Sequence, residues 1–167
     1  MKKADIPPSA VKGICISGLY GGSGIALDED MKPVRPCLIW MDRRATKEKQ
    51  WVLDHIGEDR LQSITHNGAD PYYGFTKMLW IKNQEPENWA KTKLFLPPNA
   101  YVIYQLTGEV AIDYSSAGNI GGIFDMNTRS WSREMLDAIG IPHTSPAGSA
   151  ASCKAAGDMV YSVRNPV

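Results

Sequence analysis

Cys37-Leu38-Ile39-Trp40-Met41-Asp42-Arg43-Arg44 decides how this chain is read, because an apolar run gives way within one residue to a polar cluster. Pro36 precedes it, and residues 37–40 predict a short strand whose end presents Asp42, Arg43 and Arg44. Strands that deliver polar side chains at their ends are how an α/β sheet commonly places functional groups along its edge. Two more apolar runs lie upstream. Val11-Lys12-Gly13-Ile14-Cys15-Ile16 predicts one strand, and Ile25-Ala26-Leu27 predicts another, turned by Asp28-Glu29-Asp30. Between them, Ser17 to Gly24 is a loop with four glycines in eight residues, where backbone turns tightly or lies close to something.

Downstream the period changes from strand to helix. Trp51, Val52, His55 and Ile56 share one face of a helix over 45–56, closed by Gly57. Further helices are predicted over 58–64, over 75–83 and over 100–106, the last stopped by Gly108. In the second of these, Phe75, Met78, Leu79 and the stem of Lys82 point inward. Leu94-Phe95-Leu96 predicts a short strand, and Asp113 to Asn119 a polar loop of small residues. Trp131, Met135, Leu136 and Ile139 line a final helix, with Ser130 as its cap and Gly140 as its stop. The expected class is α/β, with about three strands followed by a helix-rich region. So few strands leave an exposed edge, and the sheet is expected to be completed by another chain or by more of a longer protein.

Length and charge narrow the function. The 167 residues suffice for one domain with a real core. Eighteen basic and eighteen acidic side chains balance to zero, which argues against the sustained cationic field that nucleic acid or an anionic membrane surface requires. No run approaches the roughly 18 apolar residues of a spanning helix. The opening Met1-Lys2-Lys3-Ala4-Asp5 leads into Pro7 and Pro8, unlike a secretory signal. Cys15, Cys37 and Cys153 are odd in number and fit neither a disulfide framework nor a zinc site, and the first two sit in apolar runs as small hydrophobes. A cytoplasmic setting is expected.

Several chemistries find no motif. There is no G-x-x-x-x-G-K-[ST] loop, no H-E-x-x-H and no G-x-S-x-G. His55, His66 and His143 lack ligand spacing, and His55 is expected on the apolar face of its helix as a structural imidazole. Ser17 has no local group to activate it as a nucleophile. The glycines of 18–24 either admit an anion to backbone amides or simply connect two strands, and Tyr20 among them is exposed unless it covers something.

The sharpest constellation is Trp40, Asp42, Arg43 and Arg44. A polyhydroxylated ligand offers apolar C–H faces and a ring of hydroxyls. An indole covers the former, while a carboxylate and a guanidinium hydrogen-bond the latter. The plainer alternative is a core tryptophan beside a surface ion pair. Asp70-Pro71-Tyr72-Tyr73-Gly74-Phe75 repeats the theme as an aromatic loop entering a helix. Asp42 and Asp70 are also the natural pair of carboxylates for a sugar hydrolase, a competing reading.

In order along the chain, Leu38 to Arg44, Asp70 to Ile81, Leu96-Pro97-Pro98-Asn99-Ala100-Tyr101, Leu106-Thr107-Gly108-Glu109, Asp113-Tyr114-Ser115 and Trp131-Ser132 resemble the FGGY carbohydrate kinases. That family includes glycerol kinase and xylulokinase. Lys77 to Gln84 is similar to its first signature, although Gly74 stands where the signature usually carries Pro, Ser or Thr. The resemblance runs over about 10–142, with 143–167 Ser-, Ala- and Gly-rich.

The resemblance implies an incomplete ribonuclease H-like (actin-like ATPase) domain, residues 1–167 forming part of an N-terminal sugar-binding domain. It implies that Trp40 covers the substrate's carbon chain, that Tyr72 donates to a substrate hydroxyl and that Asp42 lies near the sugar; Arg43 is a sugar-binding candidate from the constellation above. Leu19-Tyr20 occupies the place of an Arg-Glu pair in glycerol kinase and a Met-His pair in xylulokinases, so Tyr20 is expected at the sugar while the sugar itself stays open. ATP and Mg2+ are implied for the complete enzyme and not held by this chain. The family's Asp-x-Gly-Thr strand and its general-base aspartate are expected outside residues 1–167. The expectation is therefore a fragment of an ATP-dependent sugar kinase, inactive alone. The alternative is a non-catalytic polyol-binding remnant, or a subunit that pairs with a partner chain supplying the remainder.

Overall fold

The computed structural model describes residues 7–19, 21–141 and 154–156. The fold is α/β and dominated by helices. Its elements are β1 (Ile25–Leu27), α1 (Thr46–His55), α2 (Glu58–Thr65), α3 (Gly74–Gln84), α4 (Pro86–Lys91), β2 (Leu94–Leu96), α5 (Pro98–Thr107), β3 (Ala111–Asp113), α6 (Tyr114–Ile120), β4 (Phe124–Asp125), β5 (Ser130–Trp131), α7 (Arg133–Ala138) and β6 (Lys154–Ala156). A 3-10 turn, Pro8–Ala10, precedes them among the described residues.

The strands pair two by two. β1 runs antiparallel to β2 with Ile25 opposite Leu96 and Leu27 opposite Leu94. β3 runs parallel to β6, and β4 antiparallel to β5. Two of the three expected front strands are not observed as strands. Val11 to Ile16 carries no regular secondary structure and has no ladder partner among the described residues, and Val11, Ile14 and Cys15 are exposed. An extended run becomes a strand only when its N–H and C=O groups meet a neighbour's. Cys37 to Trp40 shrinks to one antiparallel bridge, Leu38 to Gly24. Pro33 and Pro36 interrupt donation on this edge, and the Asp42 amide closes a turn onto the Ile39 carbonyl.

α3 is the hub of the core. Gly74, Phe75, Thr76, Lys77, Met78, Leu79 and Ile81 are all buried, so the helix is covered nearly all round. It packs on α1, α4 and α6. Phe75, Ile81, Leu27, Leu96, Phe124 and Ile123 are among the side chains fully withdrawn from water.

Three helical expectations shift. In α1 the buried positions are Glu48 and Val52, whereas Trp51 and His55 stack on each other outside, ring centroids 4.5 Å apart. His55 is therefore an exposed imidazole, its Nδ1 2.8 Å from the Trp51 carbonyl. The expected loop over 113–119 is strand and helix. The Asp113 carboxylate accepts from the Ser116 amide at 2.8 Å and caps α6, satisfying a donor that would otherwise be stranded. α7 begins at Arg133, capped by Ser132 rather than Ser130, because Ser130 and Trp131 pair with β4 first. The Ser-, Ala- and Gly-rich tail over 143–167 lies outside the described residues except for 154–156.

Candidate site at the junction of the 39–44 turn and the 70–77 helix start

Two chain segments meet here. Asp70 Oδ1 accepts from the Tyr72 amide at 2.7 Å, and its carboxylate receives Arg43, with an N–O distance of 3.0 Å. One carboxylate thus shapes the turn into α3 and ties it to the 39–44 turn. Asp42 faces another way. Both its oxygens lie 2.9 Å from Arg44 Nε, and its Oδ1 also receives the Arg44 amide. Arg44 in turn lies over the Trp80 ring at 4.7 Å. Burial works to raise the Asp42 carboxyl, but the hydrogen bonds from Arg44 outweigh it and hold the group below the usual carboxylate range.

Trp40 is 46% exposed, so its indole is not a core side chain. It stands free at the tip of the turn, next to Ile39 and Met41, which are exposed as well. The structure therefore brings Arg43, Asp70 and Tyr72 into one bonded network, with Asp42 paired to Arg44 and Trp40 exposed two residues before Asp42. Tyr20, the remaining sequence candidate, lies outside the described residues. Two cavities of about 510 and 400 Å³ lie elsewhere, the first beside α5 and the second between α1 and α3; neither is lined by Trp40 or Tyr72.

Tyr72 is fixed on several sides. A Cβ placed on Gly22 would come within 2.7 Å of Tyr72 Cζ, so the glycine backbone lies directly on the phenol. Tyr73 meets the ring edge-on at 5.2 Å. The Tyr72 hydroxyl donates to Asn119 Oδ1 at 3.0 Å, and the same oxygen accepts from the Gly22 amide at 3.1 Å.

Glycine in the 18–24 loop serves close packing. A Cβ on Gly21 would sit 2.3 Å from the Ile120 nitrogen and the Ser116 oxygen, and one on Gly74 would sit 2.3 Å from the Gly21 oxygen. The loop, the start of α3 and α6 are thus pressed backbone to backbone. Gly74 is required by this contact.

Lys77 and Asn119 escaped the sequence reading. Lys77 is 2% exposed and donates to the carbonyls of Pro71 (3.0 Å) and Tyr72. Its nitrogen lies 5.7 Å from the centre of the Tyr72 ring. Burial lowers its pKa to about 8, against the attraction of Asp42 and Asp70. The available signal was a lone cation inside Phe75-Thr76-Lys77-Met78-Leu79-Trp80-Ile81, too apolar a helix to leave it a solvated face. Asn119 gave no local signal.

Comparison with known proteins adds ancestry to this geometry. The sequence pattern of the FGGY family of carbohydrate kinases, N-terminal domain, matches residues 1–162. The xylulose kinase of Staphylococcus xylosus is 30% identical over 154 residues, which are 92% of this chain and 31% of that protein. The xylulose kinase of Lactococcus lactis is 36% identical over 130 residues, 77% of this chain and 25% of that protein. Among solved structures, a xyloylose kinase from Brucella ovis superposes with a TM-score of 0.74 at 28% identity, over 82% of this chain and 28% of that one. The chain thus spans between a quarter and a third of the length of these relatives.

Proposed function

The chain belongs to the FGGY family of carbohydrate kinases, and from this premise we propose that it is the sugar-side portion of an ATP-dependent kinase that phosphorylates a hydroxyl of a sugar or polyol. The ribonuclease H-like reading of its α/β fold belongs to the same proposal and is supported by the superposition on the Brucella ovis enzyme. A cytoplasmic location is part of the same proposal. Separately, among the described residues no helix is long and apolar enough to cross a membrane.

One observation carries the reading. An exposed indole, Trp40, stands on a turn that an exposed Arg43–Asp70 ion pair joins to the Tyr72 loop. The indole face suits the C–H side of a carbon chain, and Arg43, Asp70 and the phenol offer hydrogen bonds to hydroxyls. Phosphoryl transfer also needs a positioned base, a metal and phosphate-binding groups in register. Among the described residues no group of three or more His, Cys, Asp or Glu side chains converges to hold a metal. We assign the nucleotide, its Mg2+ and the base to the remainder of the enzyme. This chain's residues bind and orient the sugar.

The exposed Val11 and Ile14 (43% and 53%), on a segment of strand-like composition, favour a further feature. They are suited to pairing with a strand from the rest of the kinase or from a separately encoded subunit. The purified chain should bind a pentitol or pentose saturably and show no ATP turnover with any pentose, hexose or polyol. Measurable turnover would overturn the division of labour, and an absence of binding would overturn the sugar-side assignment.

A further inference from the structure

We infer that Asn119 is a positioning residue that fixes Tyr72 as a hydrogen-bond acceptor toward the ligand, the reverse of the donation that the family resemblance implies, so that the sugar hydroxyl at this position must donate. The inference rests on the sugar-side reading above, and follows from proton bookkeeping at one oxygen. A backbone N–H can only donate, so the Gly22 amide at 3.1 Å identifies the facing Asn119 atom as Oδ1, not Nδ2. An amide oxygen cannot donate, so the phenolic proton of Tyr72 must lie on the 3.0 Å contact to that same atom. The two donors engage both lone pairs of Oδ1, which leaves the phenol no alternative partner at Asn119. A phenol has one proton, and here it is committed. What Tyr72 has left for a ligand is lone pairs.

The surroundings hold this arrangement in place. Gly22 lies against the ring, the Tyr72 amide is held by Asp70, and Lys77 grips the Tyr72 carbonyl. Asn119 itself sits on α6, which Asp113 caps and which Gly21 packs against. Rotating the phenolic proton toward a ligand would leave Oδ1 with one donor in a part-buried setting. The consequence is selectivity. A carbonyl, ether or fluorine at this position cannot supply the proton that a hydroxyl supplies, and a site built around a hydrogen bond rejects a ligand lacking it.

Two readouts test the inference separately from the sugar reading. The Raman ring doublet of tyrosine reports whether a phenol donates or accepts, and the difference between wild type and Tyr72→Phe isolates this residue from the other six tyrosines. The expected result is a donor signature in the wild type that disappears in Asn119→Ala and returns in Asn119→Asp, which keeps the acceptor. An acceptor signature in the wild type, or a doublet indifferent to Asn119→Ala, would overturn the inference. In the ligand arm, a pentitol is compared with its monofluoro analogues. One analogue should bind about tenfold more weakly to the wild type and lose that penalty in Tyr72→Phe. Analogues that all bind as tightly as the parent would refute the acceptor role. Failure of the parent pentitol itself to bind would refute the sugar reading, and the Raman pair would then decide the polarity of Tyr72 alone.

Discussion

The 39–44 turn and the 70–77 segment carry the same kinds of residue, aromatic rings beside carboxylates and cations, yet the fold treats them in opposite ways. In the turn the charges are paired near the surface: Arg43 keeps 60% of its side chain exposed and Arg44 46%, and Trp40 is open to solvent. In the helix start the cation is sealed in, two carbonyls hold it, and two glycines, Gly21 and Gly74, let backbones touch. The first region is an exposed face free to adapt. The second is a rigid mount. A site built of one adaptable and one fixed wall can close its indole over a ligand whose hydroxyls the fixed wall has already oriented.

Substitutions should separate the two walls. The largest effect belongs to Gly74→Ala, which drives a Cβ to within 2.3 Å of the Gly21 carbonyl oxygen, a backbone atom with nowhere to go. A loss of about 3 kcal/mol is expected in denaturant unfolding; a loss below about 1 kcal/mol would show that the mount is softer than described.

Lys77 gives the next effect, with a pH signature. Its pKa is about 8 in the folded chain against 10.5 for a free lysine, so the native state disfavours its charge. Between those values the unfolded chain binds the extra proton, and stability therefore rises with pH across roughly 8 to 10.5. Relative to Lys77→Met, in which other titrations cancel, the wild type should gain about 3 kcal/mol over that window. A flat difference would mean the ammonium is solvated. The smallest effect is expected in the turn, where Arg43→Ala removes an exposed ion pair and should cost less than about 1 kcal/mol of stability. A larger cost would make the two regions alike.

Sequence periodicity located most helices, because apolar spacing and stop glycines are local signals. α3, α5 and the β1 and β2 runs were legible for that reason. What escaped depended on partners distant in sequence. Val11 to Ile16 has strand composition but no neighbour to pair with among the described residues. In α1 Glu48 is buried, and Asn83 of α3 donates to its carboxylate at 3.3 Å, a contact no local pattern encodes. Of the sugar candidates expected from sequence, Trp40, Asp42, Arg43 and Tyr72, the structure joins Arg43 to the Tyr72 loop and turns Asp42 toward Arg44. Asn119 was invisible, since its bond to Gly22 spans 97 residues.

The central claim is that Trp40 and Tyr72 face one polyol from these two walls. The most direct measurement is a nuclear magnetic resonance titration of the chain with a pentitol, following the indole N–H of Trp40, assigned with Trp40→Phe, and the ring of Tyr72, assigned with Tyr72→Phe. Both signals should shift saturably along one binding curve, and each substitution should weaken that curve. Saturable binding that leaves both residues unmoved, or that moves them with different affinities, would contradict the account.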